Sequence, residues 1–330
     1  MDLALLTDIL DQCFALGMRS LKITGGEPFL YDSFMGLLEY LKKKKKRQKL
    51  YLYIETNGTL IDRRMASSLA KAGMKFASVS IDGDNADTHD TMRGVKGAFR
   101  KAWQAAKFMI AEDIPVQIIT AVYRGNVGQF ENVARMAEDI KAESLKANII
   151  NIMGRGAEMA ENNELLSIEE ALELNKKIDG EYRKKFNLRL CSSLPVAFRS
   201  FGRMLKEKTT FCGIKGLLGI LATGKVSICG IGEEIEELVL GDARTDAIKN
   251  IWSESPLLWN IRDSLPSGLG GVCKICVFKN YCLGHCVAHT YYRNGSFTAP
   301  FWLCQEAYER GLFPKTRLLK NEKLVLHNHS

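Results

Sequence analysis

Along the first half of the chain, the apolar positions switch between two periods. Leu6, Ile9, Leu10, Cys13 and Leu16 recur at helical spacing, with Gly17 as the stop. Ser20-Leu-Lys-Ile-Thr24 reads as a short strand running into Gly25-Gly26-Glu27-Pro28. The pattern then predicts a helix from Ser33 to Lys45 and a strand from Leu50 to Glu55 that ends in Thr56-Asn57-Gly58. A helix from Arg63 to Ala72, stopped by Gly73, precedes a strand from Phe76 to Ile81 that ends in Asp82-Gly83. The alternation continues with a helix from Gly97 to Ala111, a strand from Val116 to Val122, a helix from Phe130 to Lys141 and a strand from Ala147 to Met153. Strands and helices at this spacing predict an α/β fold built on a parallel sheet. The polar, glycine-rich stretches fall just past strand C-termini, the last of them Gly154-Arg155-Gly156, and that edge is where α/β sheets bind ligands. The segment opens with a helix, whereas such folds normally open with a strand.

After a helix-rich stretch from Ser167 to Arg183 the alternation fades near Asn187. This predicts a core domain over residues 1–185, a second domain over 186–315 and a polar tail over 316–330. His327 and His329 in that tail form no convincing metal site.

Composition narrows the class. The 330 residues are 46% hydrophobic and 25% charged with only seven prolines, which excludes collagen-like and broadly disordered chains. No apolar run is long enough to span a bilayer, and Asp2, Asp8 and Asp11 are wrong for a secretory signal. A cytoplasmic protein without a membrane partner is expected. The net charge of +8 includes the run Lys42 to Arg47, which is read as the solvated end of an amphipathic helix; no nucleic-acid motif accompanies it.

Cysteine is the anomaly. Of nine, seven fall between residues 212 and 304, and an odd total without a signal peptide argues against a disulfide framework. Cys273-x2-Cys276-x5-Cys282-x3-Cys286 gathers four soft ligands, which points to zinc or an iron–sulfur cluster. Cys212, Cys229 and Cys304 raise the total to seven, too many for one closed tetrahedral zinc site and one short of two four-cysteine sites. Two clusters, one with an open position or an outside ligand, fit better. Cys13, on the apolar face of the first helix, is expected to be a small core residue.

The spacing Cys-x11-Gly-x4-Cys, gap, Cys-x2-Cys-x5-Cys-x3-Cys, gap, Cys resembles the SPASM domain of radical S-adenosylmethionine maturases. Residues 1–185 resemble the core of the same enzymes through Gly25-Gly26-Glu27-Pro28, Thr56-Asn57-Gly58 and Val79-Ser80-Ile81-Asp82-Gly83, followed by His89 and Arg93-Gly94. The resemblance implies a partial (β/α)6 barrel lacking its first strand, followed by a domain with two auxiliary 4Fe-4S clusters. It assigns Cys212, Cys229 and Cys286 to one cluster, with an open fourth position or Cys191, and Cys273, Cys276, Cys282 and Cys304 to the other. Gly25, Gly26, Glu27, Pro28, Thr56, Asn57, Ser80, Asp82 and Arg93 would bind S-adenosylmethionine. In that reading Glu27 receives the ligand's ammonium, and Ser80 and Arg93 hold its carboxylate. A helix N-terminal carboxylate at Glu27 near Pro28, a plain Asn-Gly turn at Thr56 and Asn57, and an ion pair at Arg93 are the alternatives.

The implied activity is oxidative maturation of a ribosomal peptide or protein, by crosslinking or peptide-derived cofactor formation, with a reduced donor such as ferredoxin or flavodoxin. Two departures qualify it. The family's Cys-x3-Cys-x2-Cys loop, which holds a third 4Fe-4S cluster and makes the radical chemistry possible, is absent from this sequence. The expectation is a chain short of its N-terminal loop, or else a relative without the radical step. Gly230 follows Cys229 where the sulfatase-maturing branch has an aspartate base, which argues against formylglycine formation. The alternatives are a non-catalytic iron–sulfur protein that binds peptide or transfers electrons, and a zinc-stabilised interaction domain.

Overall fold

The computed structural model describes residues 1–206, 211–233 and 235–319, without the side chains of 205, 206, 232 and 233. Most of the expected polar tail, with His327 and His329, lies outside the described residues. The chain divides into two compact units, Met1–Ser193 and Leu194–Ser330. The division falls later than residue 186 because one further strand joins the first unit.

The N-terminal unit is built on six parallel strands: β1 (Ser20–Ile23), β2 (Tyr51–Thr56), β3 (Met74–Ser80), β4 (Val116–Val122), β5 (Ser144–Ile149) and β6 (Arg189–Ser192). They lie side by side in chain order, each paired in parallel with the next. Helices precede and join them: α1 (Leu3–Ala15), α2 (Phe34–Arg47), α3 (Arg63–Lys71), α4 (Ala86–Arg93), α5 (Ala98–Ala111), α6 (Phe130–Asp139), α7 (Arg155–Glu161) and α8 (Ile168–Lys177).

Alternation along the strands explains the layering. In β2, Leu52, Ile54 and Thr56 are buried while Tyr51, Tyr53 and Glu55 are half-exposed. In β4, Val116, Ile118, Thr120 and Val122 are buried and Gln117, Ile119 and Ala121 are half-exposed. With period 2, one face of the sheet is apolar and dry and the other carries Lys22, Tyr53, Glu55, Gln117, Lys146 and Asn148. The core includes Ile9, Leu38 and Leu41, with Leu69, Met109 and Phe130 from the crossover helices.

Local signals set the element ends. Asp2, Asp62, Asn85 and Ser167 cap helices through side-chain oxygens that accept backbone N–H bonds, and Ser167 forms a capping box with Glu170. The basic run closes the last turn of α2, where Lys44 pairs with Asp11 and Lys45 donates to the Gly73 carbonyl. Cys13 is half-buried on α1, and burial raises its thiol to about 11. Three elements escaped the sequence pattern. β6 is four residues long and sits at the expected boundary, and α4 and α7 lie within stretches read as motif loops. The fifth strand also begins three residues earlier than its pattern indicated, because Ser144 and Leu145 pair with β4 and β6.

The C-terminal unit has little regular structure. A three-stranded antiparallel sheet of β7 (Gly219–Ile220), β8 (Lys225–Ser227) and β9 (Val239–Asp242) is followed by short helices, including Pro256–Ser264, Val287–Asn294 and Trp302–Glu309. Among the described residues, no helix is long and apolar enough to cross a membrane.

Gly58 shows how tightly the strand ends pack on the helices. Its φ is +77°, and an added Cβ would lie 3.0 Å from Ala102 Cα and 3.1 Å from Ala105 Cβ of α5. Gly94, the left-handed cap of α4 with φ +67°, has open space instead. Gly94→Ala is expected to cost about 1–2 kcal/mol, from backbone strain alone. Gly58→Ala adds overpacking and is expected to cost about 2–4 kcal/mol. Urea unfolding of the two variants checks the order.

Candidate cofactor site and cysteine groups

At the C-terminal ends of β1, β2 and β3 lies a cavity of about 420 Å³, within the roughly 300–1,000 Å³ of small-molecule sites. Its lining includes Gly25, Gly26, Thr56, Asn57, Ser80 and Arg93 of the predicted residues. Thr24, Glu55, Thr59, His89, Val95, Ala98 and Arg155 complete it. Gly25 has φ +139°, a conformation that favours glycine, and no atom lies within 4 Å of a Cβ at Gly25 or Gly26. The loop therefore presents bare main chain to the cavity.

Three predicted residues are placed differently. Glu27, Pro28 and Asp82 do not line the cavity. Glu27 accepts from Thr56 Oγ1 at 2.7 Å and from the Asn57 amide at 2.8 Å, tying the loop after β1 to the end of β2. Oε1 also accepts from the Phe29 amide at 3.4 Å while Oε2 keeps a further lone pair, so the geometry shows a brace and leaves acceptor capacity over. Pro28 is buried at the start of a short 3₁₀ turn capped by Glu27. Asn57 is the turn residue of the alternative reading, because its Oδ1 accepts from the Thr59 amide and hydroxyl at 2.8 and 2.7 Å.

Asp82 is fully buried. One oxygen accepts from Arg93 Nε at 2.6 Å and the other from the Ala121 amide at 2.9 Å. Asn126 Nδ2 donates to its carbonyl at 2.7 Å, and its own amide donates to His89 Nδ1 at 3.0 Å. Asp82 is thus a positioning residue. It fixes Arg93, whose side chain stays 27% exposed, at the cavity edge. The Asp-Gly pair signalled a strand end; only the folded chain shows its carboxylate facing inward.

In the sequence His89 stands out only as part of a motif. Burial holds its pKa below the usual histidine value, and the Asp82 charge opposes this. Because Nδ1 accepts a hydrogen bond, the neutral ring carries its proton on Nε2.

In the C-terminal unit the seven clustered cysteines fall into two groups. Cys273, Cys276, Cys282 and Cys304 line a single cavity with Val196, Leu269 and Phe313. Burial raises Cys273 to about 11 and Cys282 to about 12, with repulsion from neighbouring thiols adding to both; burial also raises Cys304 well above the usual thiol value. Cys276 is also raised by burial, but backbone hydrogen bonding and Arg317 pull it down. The second group is Cys212, Cys229 and Cys286. Burial raises all three, and Cys286 acts electrostatically on both Cys212 and Cys229. Gly219 packs against the Cys229 main chain, 2.4 Å from where its Cβ would stand. Cys191 belongs to β6, and its thiol donates to the Leu145 carbonyl at 3.6 Å. Among the described residues, no three His, Cys, Asp or Glu side chains gather as closely as one metal ion needs.

His89 makes the N-terminal unit sensitive to acid. The unfolded ring titrates near 6.5 and the folded ring lower, so stability is lost as pH falls below about 6.5. His89→Asn keeps an acceptor for the Asp82 amide and cannot titrate. Its melting temperature is expected to fall less than that of the parent between about pH 7.5 and pH 5.5, as read by circular dichroism.

Residues 1–140 match the Radical SAM superfamily. The chain is 27% identical to the AdoMet-dependent heme synthase of Methanosarcina barkeri over 303 residues, spanning 87% of this chain and 82% of that protein. It is 25% identical to the PqqA peptide cyclase of Rhizobium meliloti over 287 residues, 85% of this chain and 72% of that protein. In fold it is similar to SuiB of Streptococcus suis, solved with its precursor peptide SuiA, at a TM-score of 0.68 and 18% identity across 92% of this chain and 69% of that one. The chain thus carries a radical S-adenosylmethionine domain and is a homologue of the SPASM-type peptide maturases.

Proposed function

We propose that this chain is the cofactor-binding and auxiliary-cluster body of a radical S-adenosylmethionine maturase that acts on a ribosomal peptide or protein. The observation that carries the reading is the pairing, in one chain, of the cavity at the strand ends with two separate thiol groups. Gly25 and Gly26 offer main chain, Ser80 a hydroxyl and the braced Arg93 a fixed cation, a set matched to an amino-acid moiety. When bound and reduced by one electron, S-adenosylmethionine supplies a carbon-centred radical that takes a hydrogen atom from substrate. This chain's part is to orient: Glu27 holds two loops together, Asp82 aims Arg93, and Asn57 stiffens the turn between them.

The thiol groups fit iron–sulfur clusters. Neutral buried thiols that repel one another as thiolates need a strongly positive core to ionise. A single zinc would draw its sulfurs to within about 2.3 Å of one point, a gathering not found among the described residues. A four-iron core spreads its thiolates over separate metals. Residues 1–193 contain only Cys13 and Cys191, on α1 and β6, and so offer no three-thiol set for a cluster beside the cavity.

The heme synthase relative favours a second reading, in which the substrate is an iron porphyrin. The two separate by binding: anaerobically purified protein is titrated with S-adenosylmethionine, then with precursor peptides or an iron porphyrin. Saturable peptide binding that needs the loaded cavity supports the first reading; porphyrin binding with no peptide response overturns it.

Iron and sulfide analysis checks the cluster assignment. Two four-iron clusters give about eight of each per chain. Cys276→Ala and Cys229→Ala are each expected to lose about half the iron, from different groups, so that the double variant loses nearly all. Iron content unchanged in either single variant would falsify the assignment.

A further inference from the structure

Arg317 is 5% exposed although its guanidinium is always charged. Among the described residues it has no carboxylate partner. Nε donates to the Ala197 carbonyl at 3.1 Å, Nη2 to the Arg199 carbonyl at 2.7 Å and Nη1 to Thr316 Oγ1 at 3.3 Å, all of them neutral acceptors. The group stacks on Phe201, 3.6 Å from the ring centre, and lies 5.6 Å from that of Phe278. A buried cation without a counter-charge is costly, so an anion is expected nearby.

The backbone shows where that anion belongs. Val277 donates to the Arg317 carbonyl and Leu319 to the Ile275 carbonyl, both at 2.9 Å, around an antiparallel bridge between Cys276 and Leu318. Arg317 is thereby pinned alongside the Cys273-x2-Cys276 loop, and its charge is felt at the Cys276 thiol. The burial of Arg317 limits screening by water, and the two carbonyls fix the plane of the fork. Lys279 also lines the four-cysteine cavity, but it is half-exposed and donates to the Lys274 carbonyl.

We propose that Arg317 is the built-in counter-charge of the Cys273/Cys276/Cys282/Cys304 group and raises the reduction potential of the cluster held there. The proposal rests on the cluster reading above. A four-iron cluster with four thiolates gains one negative charge when it takes one electron from a reductant; no bond forms or breaks. A fixed cation at short range in a dry surrounding favours the more negative state. Arg317 touches no substrate, so its role is one of tuning and positioning.

The test uses the full chain, reconstituted anaerobically, in the Cys229→Ala background so that the signal belongs to the four-cysteine group. Its potential is read by titration with dithionite, followed by electron paramagnetic resonance. Arg317→Gln keeps amide donors for the carbonyls and loses the charge; its potential is expected to move negative with iron content unchanged. Arg317→Lys is expected to stay near the parent. An unmoved potential in Arg317→Gln, or equal shifts in Gln and Lys, overturns the proposal. Should Arg317→Gln lose its iron, Thr316→Glu keeps the arginine and sets a carboxylate beside it. The same negative shift is then expected, and an unmoved potential overturns the proposal. Absence of iron from the background protein itself would instead count against the cluster reading.

Discussion

The carboxylate of Asp82 is the constraint on which the N-terminal site depends. A fully buried charge persists only if every lone pair it needs is met. Here the carboxylate's partners come from α4 and β4, while the Asp82 main chain engages His89 of α4 and Asn126 of the turn after β4. One side chain therefore locks the C-terminal end of β3 to its neighbour strand and fixes the helix that bears Arg93. The cavity is polar and water-accessible, yet the geometry of its cation is set from the dry side. Glu27 acts similarly one layer away, closing the loop after β1 onto the end of β2 through Thr56 and Asn57.

The C-terminal unit rests on the opposite electrostatic situation. Its short helices and three-stranded sheet leave a modest core, and its seven clustered thiols, Cys212 the exposed one among them, are each raised in pKa by desolvation. As thiolates they would repel one another, so the arrangement calls for positive charge at the centre of each group. Arg317 is proposed to contribute such charge to one of them from behind the Cys276 loop, fastened by the same strand pairing that fixes Cys276. In the proposed reading, structure and metal chemistry are coupled in this unit, because the ligand loops are also its connecting elements.

Much of this was legible along the chain because the signals are local. Period-2 and period-3.6 patterns marked five of the six strands and most of the helices between them. Glycine and Asn-Gly marked the strand ends, and cysteine spacing marked the half of the chain that carries the thiol groups. β6 escaped because four residues at an edge carry too little alternation to register. α4 and α7 escaped because their polar faces read as loop. The bracing contacts of Asp82 and Glu27 were not legible for a related reason: a carboxylate at a strand end can face the ligand or the neighbouring strand, and one-dimensional spacing does not distinguish them.

By itself, the sequence determined the alternating α/β unit, the cysteine-rich unit after it and the positions of the strand-end motifs. Each of these is written in short-range periodicity and spacing. Only the tertiary structure decided which motif residues line the cavity and which brace it from behind. It also placed Arg317 beside Cys276, a pairing of residues 41 positions apart by their numbering. Those outcomes depend on burial and on strand pairing between distant segments, and both arise only when the chain has closed on itself.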